Sequence, residues 1–84
     1  MPGELEASLN LAQSRGAGGL HDWLGAYGSR LQDPRLAWIQ LDYVVLVARS
    51  DPAEARLVFN AVRQRVKPES PVYDRVKQLE PTYQ

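Results

Sequence analysis

The sequence predicts an all-α domain of stacked antiparallel αα-hairpins, with four main helices and a short C-terminal helix. Three observations predict it. The dipeptides Asp33-Pro34, Asp51-Pro52 and Ser70-Pro71 each join a good N-cap side chain to a proline suited to the first helical position. They begin 18 and 19 residues apart, room for about four helical turns and a short connection. Between them, apolar residues recur at spacings of three and four. The 84 residues suit a single domain, with a first hairpin over 4–31, a second over 34–67 and a terminal helix over 71–79.

Residues 4–15 place Leu5, Leu9 and Ala12 on one face, with acids in the first turn and Arg15 beside a Gly16 stop. Gly16, Gly18 and Gly19 read as a turn. Residues 20–31 bring Leu20, Trp23, Leu24, Tyr27 and Leu31 together at helical spacing. Gly25 and Gly28 weaken that helix by roughly 1 kcal/mol each against alanine, and are expected to permit a neighbouring backbone to come close.

The segment 35–49 decides the fold, because residues 43–48 also resemble a strand. Its charged residues are Arg35, Asp42 and Arg49, seven apart each time, which sets them on one helical stripe. In a strand, Asp42 would share a face with Val44 and Leu46. The remaining residues are nearly all apolar, the mark of a buried central helix. Residues 52–66 follow with Ala55, Val58, Phe59, Val62 and Val66 on one face. Asp51 with Glu54 three places on forms a capping-box pattern. Only residues 49–51 remain to turn the chain, so the two helices are expected to run antiparallel. Residues 71–79 turn Val72, Val76 and Leu79 inward, and Pro81 is expected to stop that helix.

Within 38–68 stand Trp38-x2-Leu41-Asp42-x2-Val45, then Ala55-x3-Phe59, then Pro68, and Pro34 and Pro68 lie 34 residues apart. This resembles the tetratricopeptide repeat, a helix–turn–helix unit with the pattern W-x2-L-G-x2-Y, A-x3-F, P and a period of about 34 residues. Asp42 stands where the pattern has glycine and Val45 where it has tyrosine. The first half of the chain matches in outline only. The resemblance implies a module that binds a peptide or partner protein, or a second copy as a homodimer. In such arrays the first helix of each unit lines the recognition face. By that resemblance Arg35, Ile39, Asp42, Tyr43 and Leu46 are the candidate contact residues.

Composition narrows the remaining functions. Ten basic residues balance ten acidic ones, which argues against a general nucleic-acid binder. The alternative reading uses the polar face of the fourth helix, where Arg56, Arg63, Arg65 and Lys67 accompany Asn60. No aromatic interleaves them for base stacking. Without cysteines, and with one histidine, thiolate and His-rich metal sites and a His/Cys nucleophile pair are excluded. His21 beside Asp22 reads as a surface histidine, and a triad would need a positioned serine such as Ser14 or Ser29. The glycine-rich stretch 16–28 fits neither dinucleotide nor phosphate-loop spacing. No enzyme activity, metal or cofactor is expected. The lack of cysteine suggests a reducing, cytoplasmic setting. The N-terminal residues lack a signal-peptide layout, and no apolar run approaches the ~20 residues that cross a bilayer.

Overall fold

Residues 42–47 are helical. In the computed structural model, which describes residues 3–83, they form the second half of a helix that contributes more buried side chains than any other. The elements are α1 (Gly3–Ser14), α2 (Gly16–Tyr27), a 3-10 turn (Gly28–Arg30), α3 (Arg35–Val47), α4 (Pro52–Arg65) and α5 (Tyr73–Tyr83). The described residues include no strand, so the fold is all-α. None of these helices is long and apolar enough to cross a membrane.

The helices pack in chain order. α1 lies on α2, α2 on α3, α3 on α4 and α4 on α5, a pattern consistent with helical hairpins. The result is a slab of 33 × 31 × 17 Å. One core joins Leu9 and Ala12, Leu20 and Trp23, six residues of α3, Ala55, Phe59 and Val62, and Val72 and Val76. The Val and Ile content of α3 costs helix propensity of a few tenths of a kcal/mol per residue. Burying a side chain of that size returns about 1.5–3 kcal/mol, so burial decides the local conformation.

The caps differ from one another. Asp51 behaves as its sequence implies: its Oδ1 accepts from the Glu54 N–H at 3.1 Å, and Pro52 opens α4. At the start of α3, Pro34 occupies the cap position and Asp33 Oδ1 accepts from the Ala37 N–H at 3.2 Å. Ser70 Oγ accepts from the Val72 N–H at 3.3 Å and the Ser70 carbonyl from the Tyr73 N–H at 3.0 Å. Ser70 and Pro71 therefore build a turn, and α5 starts at Tyr73 rather than at residue 71.

Three further expectations are corrected. Residues 16–19 are the first turn of α2, and the chain turns at Arg15 and Gly16, where Gly16 takes φ +78°. Gly19 is the glycine that permits close approach, since a Cβ there would sit 2.5 Å from Arg15 Cβ and 2.6 Å from the Ala12 carbonyl oxygen. Gly25 has open space around it and Gly28 only ordinary contacts. Pro81 does not stop α5, which runs to Tyr83 and, at 11 residues, is the shortest of the five described α-helices. In the last turn proline removes a single intrahelical bond. The Tyr83 ring meanwhile packs 6.0 Å from that of Phe59, an aromatic contact that holds the final turn against the core.

Candidate partner-binding face

The five contact residues drawn from the resemblance fall into different environments. Arg35, at the start of α3, is exposed, and its Nη2 donates to both carboxylate oxygens of Glu6 at 3.1 and 3.2 Å. That pair ties α3 to α1 and is worth at most about 1 kcal/mol at such exposure. Ile39 and Tyr43 are buried, at 1% and 4% exposure, and belong to the core rather than to an open groove. The Tyr43 hydroxyl donates to Glu54 Oε2 at 2.9 Å, linking α3 to α4. Burial, with the Glu54 carboxylate adding to it, pushes the Tyr43 phenol up to about 12. Tyr43 also lines a hollow of about 250 Å³ with His21, Leu24, Gly25, Gln40, Glu54 and Val58.

Asp42 and Leu46 remain at the surface. They share a shallow cleft of about 280 Å³ with Val45, Gln13 of α1, Leu20 of α2 and Arg75 of α5. Four helices thus meet around the last turn of α3. Val45 and Leu46 are 38% and 36% exposed, unusual for apolar side chains in so central a helix. Burial raises the Asp42 carboxyl above its ordinary range, against the opposing pull of the Arg75 and Arg35 guanidiniums. The cleft therefore offers an apolar pair flanked by one acid and one base.

Sequence reasoning placed Val45 only as a departure from the repeat pattern and did not single out Arg75. The seven-residue charge stripe includes Asp42, which lines this cleft. It gave no sign of which apolar neighbours would be covered. After the exposed Arg35, residues 36–41 of α3 are covered or partly covered, and exposed side chains return at Asp42.

The basic face of α4 is broken up by its partners. Arg65 donates to Asp33 through Nε at 2.6 Å and Nη2 at 3.0 Å, and also to Gln40. Its hydrogen bond holds the Asp33 carboxyl below the usual range, against the effect of burial. The Arg63 Nε is buried without a partner, as is the Asn60 Oδ1. Arg56 is exposed, and Lys67, also exposed, lies past the end of α4 at Arg65 and so outside its face. One of the four charges is thus neutralised and another partly withdrawn from solvent.

A third hollow, about 380 Å³, lies between α1 and α2 and is lined by Leu11, Arg15, Asp22, Trp23 and Tyr27 among others. The Trp23 indole N–H donates to Ser8 Oγ at 2.8 Å beside it. Nearby, His21 Nδ1 and Asp22 Oδ1 are 3.4 Å apart and both residues are exposed. The Ser14 hydroxyl donates to the Leu11 carbonyl of its own helix. Among the described residues, no three His, Cys, Asp or Glu side chains gather into a metal-binding group. No protein-family model matches the chain, and no curated protein or solved structure matches it either.

Proposed function

We propose that this chain is a non-enzymatic protein–protein interaction module, an adaptor or scaffold built from two stacked antiparallel αα-hairpins, with α5 closing the second. Its contact surface is the open last turn of α3, with Asp42 and Leu46 from the sequence reading and Val45 and Arg75 added by the fold. The single observation that carries this is the exposure of Val45 and Leu46 between opposite charges, in a cleft reached by four helices. Apolar pairs rimmed by polar groups mark protein contact sites.

Further features support the architecture. Packing in chain order is what stacked hairpins produce. Ala55 and Phe59, the positions that carry the tetratricopeptide-like pattern, are fully enclosed. The polar pairs Tyr43–Glu54 and Trp23–Ser8 serve to join helices.

The test compares the wild-type chain with Leu46→Glu as bait in native extract, alongside light scattering of both. The expected result is a bound protein, or a self-associated form, that the wild type shows and Leu46→Glu loses. A monomeric wild type that retains the same proteins as Leu46→Glu would remove this surface from consideration.

A further inference from the structure

The last turn of α3 and the bend after it carry four exposed side chains arranged as a diamond. Asp42 stands at one tip and Arg49 at the other, with Val45 and Leu46 between them. Asp42 precedes the apolar pair by three and four residues, and Arg49 follows it by four and three, so all four are neighbours on the helix surface. Ala48 keeps right-handed helical angles, and its N–H donates to the Val44 carbonyl at 3.1 Å, so the helical path continues toward Arg49. Neither Asp42 nor Arg49 makes an ion pair among the described residues.

This pattern reads the same from either end with the charges inverted. A two-fold axis through the midpoint of Val45 and Leu46 lays a second α3 antiparallel on the first. It sets Asp42 of each copy against Arg49 of the other, and packs the two apolar pairs together. We propose that the diamond is the centre of an isologous contact, with a second copy of this chain as its occupant. The proposal rests on reading the open turn of α3 as a contact surface.

Charge complementarity selects both the occupant and the register. An axis centred on Asp42 would set that residue against itself and Arg35 against Arg49, like on like. The register centred between Val45 and Leu46 pairs opposite charges at both tips; the register that would pair Arg35 with Asp42 is centred between Trp38 and Ile39, where Ile39 is buried. A foreign segment would need an acid, an apolar pair and a base in reversed order at the same spacing, which the chain itself already presents. Like-charge juxtaposition across an interface is strongly unfavourable, so register and partner are fixed by the same residues. The patch is small, which places the dimer among weak, concentration-dependent associations.

The experiment is sedimentation over a concentration series reaching about 1 mM, the range where weak contacts populate. The wild-type mass is expected to rise toward twice that of the monomer. Asp42→Arg alone sets arginine against arginine, and Arg49→Asp alone sets aspartate against aspartate, so each stays monomeric where the wild type pairs. Mixed in equal amounts, the two variants are expected to pair with each other, because both tips become complementary again. Circular dichroism of each variant checks that the helices are intact, and isotope labelling with native mass spectrometry identifies the mixed pair. A wild type that stays monomeric overturns the proposal. So does a dimer that either variant keeps, or a mixture that stays monomeric. If the dimer fails while the Leu46→Glu bait still loses a partner, the contact surface stands with a different occupant. If both fail, the surface reading falls as well.

Discussion

The pairs α1–α2 and α3–α4 are similar in length and unlike in what they bury. α3 and α4 enclose Ala37, Ile39, Leu41, Tyr43, Val44 and Val47 together with Ala55, Phe59 and Val62. α1 and α2 enclose only Leu9 and Ala12 with Leu20 and Trp23. The second pair is joined by a turn that Asp51 caps, whereas the first turns on a glycine at positive φ. α1 has α2 as its main support, while α3 is packed from both sides. The α3–α4 pair thus sets the fold, and the α1–α2 pair, itself joined by Trp23–Ser8, covers it through a few apolar anchors and the polar tie Arg35–Glu6.

Substitutions at equivalent depth test whether the two pairs really differ. Phe59→Ala is expected to cost about 3–5 kcal/mol, since a fully enclosed ring leaves a cavity that two packed neighbours cannot close. Against total stabilities of about 5–15 kcal/mol, that change unfolds much of the population, and thermal melting reads it directly. Leu9→Ala, equally buried but in the peripheral pair, is expected near the lower end for such changes, about 2 kcal/mol, because α1 can shift to fill the space. Equal losses at the two positions would erase the distinction.

The smallest effect belongs to the polar tie between α4 and the entry to α3. Arg65 holds the Asp33 carboxyl below its ordinary range. A depressed acid stabilises the fold above the unfolded carboxyl value of about 3.9 and loses that contribution as pH falls through its own lower value. Asp33→Asn is therefore expected to cost about 0.5 kcal/mol at neutral pH, given the pair's exposure, and to flatten the acid limb below about pH 4. Urea titrations of both proteins at pH 7 and pH 3 measure it. An unchanged pH profile would show that the pair contributes nothing.

Much of the fold was legible in the residues. The i, i+3, i+4 repeats that hold Leu9, Trp23, Phe59 and Val76 matched burial at those positions, because periodicity is a local property. Asp51-Pro52 with Glu54 was equally local and gave a true cap. Ser70-Pro71 and Pro81 misled because their outcome depends on what packs nearby: the turn that Ser70 closes, and the Tyr83–Phe59 contact. The glycines at 16–19 read as a break because their helix is held by close packing on α1 rather than by propensity. The exposed end of α3 was legible only as a stripe. Ile39 and Tyr43 share helical spacing with Leu46, yet neighbouring helices cover the first two and leave the third open. No spacing along one helix encodes the reach of another.

Packing in chain order has a temporal side. Each helix meets its main support in the segment made just before or after it, so no long loop closes before contacts are gained. Folds with such local connectivity reach their native state in microseconds to milliseconds. During synthesis, α1 and α2 would wait half-supported until α3 emerges, and α3 in turn would stay open on its other side until α4 and then α5 follow. The Val45–Leu46 pair, left exposed in the finished fold, is thus open from the moment α3 leaves the ribosome.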